Sequence, residues 1–236
     1  MGHHPCSLSL IFNLFLSLTF SLLSTFALAF DVPQMKVGSG SLFEMKLASG
    51  NAQMAIVVVD RNSQELGLEF YFKDLSAVGI EMWQRFQVRP QGKKLNLSQG
   101  YVLMPQLGDP FILSDEYLKG FDGAQISSFM LESENEFQEY KIDVEKITVP
   151  AGTIEATHYR MTERSQTIDY WVHESAKPVG IVKMTSKGKS IKENYSLELK
   201  TLLSNAAPKI NIKKARPLTP EAKKFLPQLG TPLLLD

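Results

Sequence analysis

A chain of 236 residues in which 25 Lys+Arg balance 25 Asp+Glu carries no formal net charge, which excludes a global field that steers nucleic acid. Its one cysteine, Cys6, sits in the leading apolar segment, so the remainder has no disulfide and no thiol chemistry and is held by its core alone. The length suits one domain of ordinary size, alone or with an appendage.

Leu8 to Phe26 is overwhelmingly apolar and Ala27-Leu28-Ala29 supplies a small-x-small cleavage signal, so residues 1–29 read as a signal peptide and the rest as exported to the periplasm. The segment before it lacks Lys and Arg, and about 20 apolar residues can also span a bilayer, so an uncleaved anchor is the competing reading. Polar, turn-prone Asp31-Val32-Pro33 directly afterwards favours cleavage. No Cys lies beside the site, so a lipid-modified N-terminus is not expected.

Leu42 to Ala48 can pair with Gln53 to Asp60 through a turn at Ser49-Gly50-Asn51. Glu65 to Lys73 then alternates, with Leu66, Leu68, Phe70 and Phe72 on one side. From Leu75 the period changes. Leu75, Val78, Met82, Trp83 and Phe86 follow a helical stripe, which predicts a lid helix near 75–87 that ends before Arg89-Pro90. Two short strands around Leu95–Leu97 and Val102–Met104, a helical turn over Glu116–Phe121 and a strand over Ile126–Leu131 follow. Residues 139–202 are one polar–apolar alternation after another, separated by short turns such as Val149-Pro150-Ala151-Gly152 and Lys187-Gly188-Lys189, the pattern of an antiparallel meander. From Asn205 prolines punctuate a basic tail (residues 205–236), with a short helix expected after Thr219-Pro220-Glu221.

The run Ile147-Thr148-Val149-Pro150-Ala151-Gly152-Thr153-Ile154-Glu155-Ala156, then Ile168-Asp169-Tyr170-Trp171-Val172, then Lys177-Pro178-Val179-Gly180-Ile181-Val182-Lys183, resembles a family of exported bacterial proteins of unknown function. That family is similar to the Lol-type outer-membrane lipoprotein carriers. The resemblance implies an antiparallel sheet curved into a half-barrel, helices lidding its concave face, and a periplasmic carrier role for an acyl chain or another hydrophobic partner. It carries no catalytic residues. The expected fold is therefore mainly β: a curved antiparallel domain over residues 30–204, with the 75–87 helix on its concave face.

Nothing in the sequence spells out a reaction. There is no Gly-x-Ser-x-Gly, no His-Glu-x-x-His and no phosphate-cradling loop, and no catalytic residue or cofactor is expected. His158 and His173 lie in predicted strands near Glu155, Asp169 and Glu174, short of the three or four converging ligands a metal needs, so no metal is expected either. The better candidate is a hydrophobic cavity in which Met82, Trp83 and Phe86 on the helix face Ile168, Tyr170, Val172, Val182 and Met184 on the sheet. The competing reading is a filled core. The leading expectation is a non-enzymatic carrier for a lipid or an acylated protein, and the alternative is an interaction protein of the cell envelope that meets a protein partner at an exposed sheet edge. Lys209, Lys213, Lys214, Arg216, Lys223 and Lys224 make a basic cluster that could touch anionic lipid, or a solvated strap with Leu233-Leu234-Leu235 docked on the sheet edge.

Overall fold

The structure, a computed structural model, describes residues 35–75, 79–91, 94–122, 138–163, 166–220 and 222. The predicted signal peptide, the predicted strand at 126–131, Lys223, Lys224 and the leucine tip lie outside them. Among the described residues no helix is long and apolar enough to cross a membrane.

The alternating segments all enter one curved sheet of twelve strands. In chain order they are β1 (Gly40–Leu47), β2 (Gly50–Arg61), β3 (Leu66–Asp74), β4 (Glu81–Gln91), β5 (Lys94–Leu103), β6 (Phe111–Ile112), β7 (Lys141–Val149), β8 (Gly152–Glu163), β9 (Gln166–Val172), β10 (Ile181–Lys187), β11 (Tyr195–Leu203) and β12 (Arg216–Pro217). Across the sheet the order is β12-β6-β5-β4-β3-β2-β1-β11-β10-β9-β8-β7. Every pairing is antiparallel except the two-residue contact of β12 with β6. The mainly β, curved antiparallel architecture is thus as expected. Helix α1 (Asp115–Asp122) falls where the Glu116–Phe121 turn was predicted.

Because side chains alternate, the register carries one apolar face through the sheet. Phe43 and Met45 on β1, Met54 and Ile56 on β2, Phe70 and Phe72 on β3, and Leu197 and Leu199 on β11 share it, and all are essentially inaccessible. Met184 and Tyr170 continue it onto β10 and β9. α1 lies on this inner face against β5. A Cβ on Gly100 would stand 2.7 Å from a Leu118 methyl, so the missing side chain makes room for the helix. The outer face is polar and laced with cross-strand pairs, among them Lys183–Glu198 at 3.1 Å and Lys200–Glu44 at 2.7 Å.

The predicted lid helix at 75–87 is overturned. From Glu81 onward the segment is β4, hydrogen-bonded between β3 and β5; positions 76–78 lie outside the described residues. Met82 and Phe86 are four apart, a spacing that a helix and a strand both place on one face. The residue between them that would have revealed the strand period is Gln84, which is polar yet 1% exposed on the inner face. Trp83 therefore points to the outer face, opposite Met82, and rests against Tyr71 at 4.9 Å between ring centroids. The two short strands expected over residues 95–104 are the single strand β5.

The tail is a strap across the outer face. Glu69 accepts hydrogen bonds from the backbone N–H of Lys209 (2.7 Å) and Ile210 (3.1 Å), and Ile210 is buried. Burial pushes the Glu69 carboxyl up, and the two N–H bonds and the nearby Arg85 only partly counter it. Arg85 pairs with Asp60, whose carboxylate also accepts from Gln87 at 2.8 Å. Farther on, Arg216 stacks on Phe111 at 4.8 Å and donates to the Leu107 carbonyl. Of the predicted basic cluster, Lys209, Lys213 and Lys214 remain exposed on this strap.

Candidate functional site

Two features gather at the β7–β9 end of the sheet. The first is a cleft. β9 stops at Val172, opposite Thr157, so the Gly152–Ala156 part of β8 has only β7 beside it. Beyond Val172 the chain folds into a tight loop. His173 N–H donates to the Gly180 carbonyl (2.8 Å), Gly180 N–H to Ala176 (2.7 Å) and Ala176 N–H to His173 (3.1 Å). The Ser41 hydroxyl donates to the Lys177 carbonyl at 2.7 Å and ties this loop to β1. Between loop and strands lies a cleft of about 480 Å³. Met35, Val144, Tyr159, Val172, Pro178 and Val179 give it apolar walls, and Glu155, Thr157, His173, Glu174 and Lys177 make its remaining lining polar.

The second feature is on the opposite face of the same strands. The turn at Pro150-Ala151 pairs Val149 with Gly152, and that register brings Asp143 opposite His158 and Glu145 opposite Ala156. The next hairpin pairs His158 with Trp171 and Arg160 with Asp169. The His158 ring stacks on Trp171 at 4.4 Å and 15°, and Lys183 lies over the indole at 5.5 Å. His158 Nε2 meets Asp169 Oδ1 at 2.7 Å, and Arg160 Nε donates to the same oxygen at 2.7 Å. His158 Nδ1 faces Glu145 Oε1 at 3.3 Å and Asp143 Oδ1 at 3.8 Å. Trp171 Nε1 donates to that Glu145 oxygen at 2.5 Å. Burial would raise the Asp169 carboxyl, but the hydrogen bonds from Arg160 and His158 outweigh it and hold the group below the usual carboxylate range.

The eight predicted cavity residues do not converge on one hollow. Met82, Phe86, Val182 and Met184 are fully packed in the core, Tyr170 is buried beside them, and Ile168 packs at its margin. Trp83 is on the other face. Only Val172 lines the cleft. β4 and β10 stand five positions apart in the strand order, and the helix that was to bring their residues together is itself a strand of the sheet. Of the expected acidic neighbours of His158, Asp169 is in contact, whereas Glu155 lies in the cleft. The reading of single residues misses Asp143 and Glu145. The signal for them was the hairpin register, since the Val149–Gly152 turn fixes which β7 residues lie across from His158.

No protein-family model matches the chain, and no curated protein sequence matches it. Solved structures do. An exported protein of Bacteroides fragilis with a YmcC-like fold is 11% identical, with a TM-score of 0.33 over 71% of this chain and 96% of that one. A Parabacteroides distasonis lipoprotein is 13% identical, with a TM-score of 0.31 over 75% and 98%. MucB in its Pseudomonas aeruginosa complex with MucA is 12% identical, with a TM-score of 0.33 over 80% of this chain but only 58% of MucB.

Proposed function

We propose that the chain is a non-enzymatic binding module of the bacterial cell envelope, exported by its leading segment, that holds an apolar group in the cleft between β7–β9 and the 173–180 loop. The observation that carries this reading is the cleft itself. Its volume of about 480 Å³ lies within the ~300–1,000 Å³ of small-molecule sites. Its apolar walls suit an acyl chain or an aliphatic side chain, and its polar groups suit a headgroup or peptide end. A fluorescent fatty acid titrated into the purified protein tests the reading. Binding that Val172→Trp weakens at least tenfold, with unchanged circular dichroism, is the expected result. No saturable binding, or binding indifferent to Val172→Trp, overturns it.

A second reading has its own observation. β7 is the last strand of the sheet, nine residues long, with Ile142 and Val144 half exposed. Such an edge can accept an extended segment of a protein partner as a further strand. Weakened capture of a partner by Lys146→Pro, on the same edge strand but outside the cleft lining, with fatty-acid binding unchanged, would favour it.

A further inference from the structure

We propose that Asp143, Glu145 and His158 form a divalent-metal site on the outer face of the β7–β8 hairpin, suited to Zn²⁺ or a similar first-row transition ion. One ligand atom from each of the three lies within 4.8 Å of the others. The edges of a tetrahedron with ~2.1 Å metal–ligand bonds are about 3.4 Å long. His158 Nδ1 to Glu145 Oε1, at 3.3 Å, is such an edge, and Nδ1 to Asp143 Oδ1, at 3.8 Å, is slightly wider. One imidazole and two carboxylates are a donor set for a borderline ion, and three protein ligands leave a fourth position open.

Proximity of acids alone would not carry this. The independent observation is the histidine. His158 is 7% exposed, and Asp169, whose carboxylate accepts, takes up the Nε2 side of the ring. Nδ1 is the ring nitrogen left to face outward, and both groups that face it are carboxylates. The surroundings are those of a ligand held for a metal. Asp169 orients the imidazole, Trp171 stacks on it, and the indole N–H holds the Glu145 carboxylate. Asp143 and Glu145 have half-exposed side chains, so an ion can enter from solvent. Both carboxylates come from the edge strand and the imidazole from its neighbour, so the ion would clamp β7 to β8. Val144, between the two acids, points to the opposite face and into the cleft, so this site does not depend on the binding reading above.

Titration calorimetry of the metal-stripped full chain with ZnCl₂ tests the site. One equivalent of Zn²⁺ should bind to the unaltered chain, and Asp143→Asn with Glu145→Gln should weaken that event at least 100-fold without changing the circular dichroism. These two side chains are half exposed, so the double variant keeps its fold even if His158→Ala does not. Asp169→Asn, which removes a positioning residue and no ligand, should keep the stoichiometry and weaken binding about 10–100-fold. Co²⁺ should quench Trp171 emission in the unaltered chain and leave the double variant's unchanged. Absence of a one-equivalent event, or an event equally strong in the double variant, overturns the proposal, since the ion would then sit at another residue such as His173.

Discussion

In β1–β4 the inner-face side chains are sealed, with Phe43, Met54, Ile56 and Leu68 at 0% exposure, whereas β7 at the far end leaves Ile142 at 52% and Val144 at 53%. One sheet thus runs from a dry wall to a wet wing. The difference follows from what covers each end. The β1–β5 part has α1 on its inner face and the 205–217 strap on its outer face. The β7–β9 wing keeps an open cleft on one face and the His158 cluster on the other. The first region holds the sealed core and the second the cleft and the His158 cluster, and a mutation should have an effect on stability whose size depends on which it touches.

The sharpest contrast sets Phe70→Ala against Val144→Ala. Phe70 is 1% exposed at the centre of the wall, and its truncation should cost about 3–5 kcal/mol in urea denaturation. Val144→Ala should stay within about 0.5 kcal/mol. Equal losses would break the division between wall and wing.

The strap comes next. Glu69→Ala strands the N–H groups of Lys209 and Ile210 and should cost about 1–3 kcal/mol, with faster hydrogen exchange at those two amides. The pH dependence has a defined sign. The folded carboxyl of Glu69 lies above its unfolded value, so its contribution is fully present below the unfolded pKa and is lost as pH rises through the folded one. Stability should therefore contain a component that grows on mild acidification and vanishes in Glu69→Gln. A component of opposite sign would show that the strap bonds outweigh the burial of the charge.

The smallest effect is a gain. Among the described residues, neither amide atom of the buried Gln84 has a hydrogen-bond partner. Gln84→Met should raise stability by about 1–2 kcal/mol, because a buried polar group without a partner costs on that order. A loss would mean that this part of the wall holds a polar partner, such as a bound water.

The sheet was legible because alternation over Glu65–Lys73 and residues 139–202 has no helical counterpart. β4 was not, since Gln84 hides the period of two and leaves a spacing of four that fits either structure. The strap was equally hidden. Its Pro-rich stretch predicts irregular chain, but the Lys209 and Ile210 amides meet Glu69 about 140 positions away, and no local pattern encodes that meeting. The His158 cluster stands between these cases. Neither Asp143 nor Glu145 is distinctive alone, yet the Val149–Gly152 turn sets the strand register and, with it, their place beside the imidazole. The proposed cavity residues depended on a helix where the structure has β4, which turns Trp83 to the outer face and leaves Val172 as the one that lines the cleft.

The sheet's midline has a bearing on synthesis. β1 is flanked by β2 on one side and by β11 on the other, so Gly40 lies across from Leu203. A nascent chain delivers β1 to β5 as successive hairpins, yet the second flank of β1 has no native partner until almost the whole sequence has been made. Closure over so long a loop is slow, and the waiting flank is a template for the wrong strand. The central seam, the last to zip, is therefore where a holding chaperone would matter most to this protein's yield.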